Sequence, residues 1–190
     1  MSRGIRLFTA ICLVVLTGAA LFAADQKEPA KESAGQVIGE SREQTLGPVT
    51  FAHITVKTNL QKIGDVAKEG VEKVARLMSE NKIFPSGPPM FVSHGASQDA
   101  TAEFTLDMGY IVPDDAKAVG DLKVTKLEKF HCMSVLYTGP AATISTAYEK
   151  VYPDLSKAGH TPSSVSREMF LYWEAPDSPN NVMQVSAGIQ

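Results

Sequence analysis

The order strand, amphipathic helix, strand, strand runs through this chain twice, and no other feature narrows its possible folds as much. The first run opens with VTFAHITVK (49–57), β-branched and partly alternating. Leu60, Ile63, Val66, Ala67, Val71, Val74, Leu77 and Met78 then recur at helical spacing, which predicts a helix over 60–81 with one apolar face. Thr58, with Gln61 three residues on, reads as its capping box. MFVSH (90–94) follows the SGPP break as a short strand. TAEFTLDMGYIV (101–112) alternates cleanly: Ala102, Phe104, Leu106, Met108 and Tyr110 fall on one side, Thr101, Glu103, Thr105 and Asp107 on the other. That is the pattern of a half-buried antiparallel strand.

The second run starts with LKVTKLEKFHCMSVLYTG (122–139), read as one long strand. Pro140 suits a helix start, and Ile144, Ala147, Tyr148, Val151 and Leu155 form the apolar stripe. Pro153 interrupts or kinks that helix and Gly159 suits its end. REMFLYW (167–173) and NVMQVSAGI (181–189) are the closing strands, joined by the turn chemistry of EAPDSPNN. The two runs are offset by roughly 78 residues, which sets Met90-Phe91-Val92 against Glu168-Met169-Phe170. One module alone leaves a sheet face uncovered. Two together bury both and leave a crevice between them, a common place for small ligands. The expected fold is α+β: duplicated strand-helix-strand-strand modules forming an antiparallel sheet with two helices and a central pocket.

Glu168 is the odd residue in this scheme. With period two, Glu168, Phe170 and Tyr172 share one face of their strand, and Met169, Leu171 and Trp173 share the other. Both faces are apolar or aromatic, as in a strand covered on both sides. An unpaired buried carboxylate costs several kcal/mol or takes up a proton, so a compensating group is called for, and a ligand can supply it. The alternative is an ion pair with Arg167 or Lys129 at the rim of the sheet. The expected ligand-binding residues are Glu168, Phe170 and Tyr172, with Met90 and Val92 joining them through the repeat; Trp173 reads as packing on the opposite face.

The first residues follow a different logic. Arg3 and Arg6 precede an apolar run from Leu7 to Phe22 that ends in small residues, the layout of a secretory signal peptide. Cleavage after Ala23 gives a periplasmic or secreted protein; an uncleaved leader would be a membrane anchor instead. The three segments expected are a signal peptide at 1–23, a polar disordered linker at 24–46, and a binding domain at 47–190. Loss of the leader removes two positive charges from a net charge of −3. That leaves no basic footprint for nucleic acid, and no later run is long enough to insert in a membrane. Cys132 is then the one remaining cysteine and reads as a buried thiol.

The second run also carries a family likeness. Gly139-Pro140, Ala147-Tyr148, Leu155, Gly159 and Glu168-Met169-Phe170-Leu171 resemble the gyrase-inhibitor-like (GyrI-like) family, the effector-binding domains also fused to AraC- and MerR-type regulators. The likeness covers about residues 48–189. It implies a duplicated α+β fold with a central small-molecule pocket, in which an acidic residue at the position of Glu168 meets drug-like, often cationic ligands among aromatic rings. A subset of that family hydrolyses cyclopropane-type compounds with a glutamate and a nearby tyrosine. Here Phe170 stands where that tyrosine is found, and Ala141 replaces an aromatic residue after the Gly-Pro.

The leading reading is therefore an exported protein binding an apolar small molecule, cationic ligands included, without cofactor or metal. The alternative is a hydrolase of strained electrophiles with Glu168 as base and Tyr172, Tyr137 or Tyr148 supplying a hydroxyl. A tetrapyrrole-binding protein, by analogy with the duplicated SOUL-type fold, is a third. The four histidines, His53, His94, His131 and His160, have no metal-ligand spacing, and no Gly-x-Ser-x-Gly elbow or phosphate loop is present.

Overall fold

The computed structural model describes residues 35–190, so the leader expected at 1–23 and the first part of the expected linker lie outside the described residues. The strands are β1 (Gln36–Leu46), β2 (Val49–Thr58), β3 (Pro89–His94), β4 (Phe104–Val112), β5 (Lys123–Leu127), β6 (Phe130–Thr138), β7 (Pro162–Tyr172) and β8 (Val182–Ile189). They form one antiparallel sheet in the order β1-β6-β8-β7-β3-β4-β2-β5. Two helices, α1 (Ile63–Glu80) and α2 (Ser145–Lys157), complete an α+β fold. No helix among the described residues is long and apolar enough to cross a membrane.

Cross-strand partners share a face, and this fixes where the helices lie. Gly70, Val74 and Met78 of α1 are buried in a cluster with Ala52, Ile54, Phe91, Leu106 and Met108. Ala147, Val151 and Leu155 of α2 are buried with Met133, Val135, Met183 and Val185. Phe91 pairs with Met108 and Glu168, and Glu168 pairs with Val185. Both helices therefore cover one and the same face, and Phe170 packs against both clusters. The reverse face carries a smaller apolar cluster of Phe51, Met90 and Val92, with Ile111, Leu127, Val165 and Met169 around it.

The sheet curls strongly around that reverse face. β5 is one edge strand and β6 lies next to the other edge, yet only Glu128 and Lys129 join them. Three Cα steps span at most about 11 Å, so the two ends approach each other and the reverse face becomes the inside of a trough. Phe51 is 0% exposed there although no helix among the described residues covers it. Gly109 permits the tight curvature, because a Cβ at that position would meet the Ala52 carbonyl oxygen at 1.9 Å.

Three expectations are corrected by this architecture. Residues 36–46, expected in a disordered linker, form β1, paired along β6 from Gln36–Thr138 to Leu46–Phe130. β1 is an edge strand with most of its side chains exposed and an irregularity between Ile38 and Arg42; edges carry charges and bulges that hide the alternation. Residues 122–139 are two strands, not one, because the polar pair Glu128-Lys129 marks the crossing from β5 to β6. The capping box at Thr58 does not form. α1 begins later, and the Asn59 side chain instead accepts a hydrogen bond from the Lys62 backbone N–H at 3.1 Å. In α2, Pro153 is carried inside the helix, and Gly159 (φ +83°) follows its end as expected.

Candidate ligand-binding site

Strands β7 and β3 occupy the middle of the sheet, and Glu168 and Phe91 face each other across them. Both point to the helix-covered side, between the territory of α1 and that of α2. Phe170, two residues along β7, joins them with its ring edge-on to Phe91 (centroids 4.7 Å apart, 66° between planes). Trp173 packs edge-on against Phe170 from the other side at 5.2 Å. From α2, Tyr148 and Tyr152 project one turn apart with their rings stacked at 5.9 Å. The result is a part-buried carboxylate framed by aromatic rings.

The electrostatics of Glu168 follow from this setting. The Tyr148 hydroxyl donates to Oε1 at 2.7 Å and lies 3.4 Å from the Ser166 hydroxyl. No salt bridge reaches Glu168, and Oε2 accepts no hydrogen bond among the described residues. Burial pushes the carboxyl above its ordinary value, and the Tyr148 hydrogen bond offsets only part of that. Tyr148 is in turn pushed well up, first by burial and then by the Glu168 charge, so its hydroxyl stays protonated and remains a donor. The rim ion pair considered from sequence is not made: Arg167 points to the reverse face, and Glu168 keeps one oxygen free to meet a cation or a hydrogen-bond donor.

Of the residues expected at the site, Glu168 and Phe170 are together. Tyr172 is not. A register irregularity between Phe170 and Tyr172 turns the end of β7, so Tyr172 is 52% exposed and donates its hydroxyl to Glu174 Oε1 at 2.8 Å. The same irregularity brings Trp173, expected on the opposite face, onto Phe170. Met90 and Val92 lie on the reverse face, paired with Met169 and Arg167. Their neighbour Phe91 is the residue that meets Glu168, and a slip of one residue in aligning the two runs accounts for the difference. Tyr137, a candidate hydroxyl, is fully buried and donates to the Pro140 carbonyl at 2.7 Å. Tyr152 and Phe91 were not singled out from sequence. The i, i+4 spacing of Tyr148 and Tyr152 on α2 was the available signal.

An open groove of about 520 Å³ lies elsewhere, between the start of β1 and the outer side of α2. Lys150 there already pairs with Asp154 at 2.8 Å and with Glu40 at 3.0 Å, whereas Glu168 has no such partner among the described residues. The histidines make their polar contacts with other residues than Glu168. His131 and His160 each lie 2.9 Å from a different oxygen of Glu43, and His94 lies 2.9 Å from Asp107. His53 Nδ1 is 3.3 Å from Asp107 Oδ1 but off the line of a hydrogen bond, so that contact is electrostatic. No group of three or more His, Cys, Asp or Glu among the described residues is arranged to hold a metal ion.

No family model matches this chain, and no curated protein matches it in sequence. Solved structures do match in fold. EcmrR in an EcmrR–DNA complex superposes with a TM-score of 0.68 at 11% identity, over 83% of this chain. The chain spans 58% of that EcmrR chain. The isolated EcmrR C-terminal domain gives 0.63 at 12% identity, over 80% of this chain and 97% of the domain. SAV2435 bound to tetraphenylphosphonium gives 0.59 at 11% identity, over 80% and 94% of the two chains. What the chain has in common with them is the fold.

Proposed function

We propose that this protein is an exported small-molecule-binding protein of GyrI-like type, whose crevice takes an apolar, cationic compound. The observation that carries the reading is Glu168: a part-buried carboxylate that, among the described residues, has no ionic partner and one free oxygen, with a frame of Phe91, Phe170, Tyr148 and Tyr152. A delocalised cation answers each of these. Its charge meets Glu168, and its apolar body meets the rings; a cation over an aromatic face gains about 0.5–2 kcal/mol. Tetraphenylphosphonium, to which SAV2435 is bound in its structure, is of this chemistry.

Duplication supports the crevice. Shortening the repeat offset by one residue takes Gly70, Val74 and Met78 of α1 onto Ala147, Val151 and Leu155 of α2, all of them buried. The same offset takes Leu106 and Met108 onto Met183 and Val185, and Phe91 onto Glu168. Glu168 then sits at the join of two modules, on the local twofold axis that relates them. Export rests on the leader pattern of residues 1–23. Outside the cytoplasm the protein would scavenge, buffer or sense its compound.

One observation favours a second reading. The Tyr148 hydroxyl on Glu168 supplies the glutamate–tyrosine pair that a hydrolase of strained electrophiles needs, from α2 rather than from β7. Native mass spectrometry of protein purified from its own host, combined with turnover assays on cyclopropane-type electrophiles, tests both. A retained intact cation without turnover supports binding. Turnover that Glu168→Ala abolishes supports the hydrolase, and neither retention nor turnover would overturn both.

A further inference from the structure

The reverse face of the sheet holds a cation for which the Glu168 crevice has no use. Arg167 follows the alternation of β7 into the trough and is only 7% exposed. Its guanidinium carbon lies 4.2 Å from the centre of the Phe130 ring, a cation against an aromatic face. Among the described residues no carboxylate forms an ion pair with Arg167, and its buried Nε has no hydrogen-bond acceptor. An arginine does not shed its proton in a protein, so the charge persists. An ion buried without a partner costs several kcal/mol.

The neighbours of Arg167 are hydroxyls, an amide and the Cys132 thiol rather than carboxylates. Its register partner on β8 is Ser186, whose partner on β6 is Ser134, whose partner on β1 is Arg42. Ser134 and Ser186 are buried, and Ser134 Oγ donates to Ser186 Oγ at 2.8 Å. The Gln184 amide lies 3.4 Å from Ser186 Oγ. Arg42 stands exposed at the far end of this row. On the other side of Arg167, Val92 is its partner on β3, next to Met90 and Phe51 in the apolar cluster.

We propose that this trough is a second binding site, for a small organic carboxylate. Phe130 meets the guanidinium as a cation–π partner and accepts none of its N–H groups, whose fork matches the two oxygens of a carboxylate in a bidentate pair. The Ser186 hydroxyl supplies a further donor, and the partly exposed Met169 and Val165 of the reverse-face cluster receive the apolar tail. A phosphate would find the arginine but no use for the apolar wall. The molecule then carries two sites of opposite charge preference on the two faces of one strand, with Glu168 and Arg167 adjacent in sequence.

The test is titration of the full chain with acetate, butyrate, hexanoate and inorganic phosphate, followed by calorimetry and by the arginine Nε–H resonances in NMR. The expected result is saturable carboxylate binding that tightens from acetate to hexanoate. Arg167→Gln weakens it about tenfold or more. Should Arg167→Gln fail to fold, a buried arginine Nε–H resonance that shifts with hexanoate in the wild type carries the same information. No saturable carboxylate binding, or binding indifferent to Arg167→Gln, overturns the proposal. Phosphate binding as tightly as hexanoate overturns its carboxylate specificity.

Discussion

Replacing Tyr148 with phenylalanine removes one oxygen and keeps the ring stacked on Tyr152. The lost group is the donor at 2.7 Å to Glu168 Oε1, the one side-chain hydrogen bond that carboxylate has among the described residues. A hydrogen bond to a charged group contributes about 1.5–3 kcal/mol and a neutral one about 0.5–1.5 kcal/mol, so the cost of Tyr148→Phe depends on the protonation of Glu168. Burial raises that carboxyl above its ordinary value. The stability its bound proton contributes is fully present below the unfolded-state value, about 4.3, and is lost as pH rises through the folded-state value. Tyr148→Phe should therefore destabilise the apo protein by about 1.5–3 kcal/mol where Glu168 is ionised and by about 0.5–1.5 kcal/mol near pH 4. Urea melts of wild type, Tyr148→Phe, Glu168→Gln and the double variant across that range form the assay. In the Glu168→Gln background the cost should be small and independent of pH. A cost that is equal at both ends of the range, or that Glu168→Gln leaves unchanged, refutes the coupling.

Two further outcomes test the fold. Burial pushes the Asp107 carboxyl up, but the approach of His53 and the hydrogen bonds of Thr55 and His94 outweigh it and hold it at about 2. Its contribution is present above the unfolded value, about 3.9, and lost as pH falls towards about 2. Acid melts of Asp107→Asn should accordingly show about 2 kcal/mol less stability at neutral pH and a flatter acid limb; an unchanged acid limb would contradict it. Gly109→Ala forces a Cβ to within 1.9 Å of the Ala52 carbonyl oxygen, which only a shift of β2 against β4 can relieve. Loss of cooperative melting, or a midpoint lowered by several degrees in thermal scans, is expected. Wild-type stability in that variant would mean the trough is shallower than described.

Glu168 and Phe170 stand out in the sequence because β7 alternates and reads as apolar on both faces, and the structure puts the two side chains on one face. The helices were legible from their stripes, although α1 starts after the expected capping box. What sequence did not carry was parity. Sheet side chains alternate, so Met90 and Val92, expected beside Glu168, face the reverse side while their neighbour Phe91 pairs with it. The bulge after Phe170 has no glycine or proline to announce it, and it sends Tyr172 outward and Trp173 inward. β1 was hidden for a different reason. An edge strand satisfies its backbone against β6 while its side chains remain mostly exposed, so charge and polarity there say little about order.

The claim that Glu168 faces a cation is tested most directly by calorimetry with tetraphenylphosphonium and a neutral probe of the same shape. Wild type should prefer the charged probe. Glu168→Gln keeps the shape of the site and should weaken the charged probe roughly ten- to a hundredfold, from the magnitudes of a charged hydrogen bond and a cation over a ring. The neutral probe should change little. Equal losses for both probes, or a collapse of the apo melting temperature in Glu168→Gln, would make Glu168 a structural carboxylate held by Tyr148 and contradict the binding site.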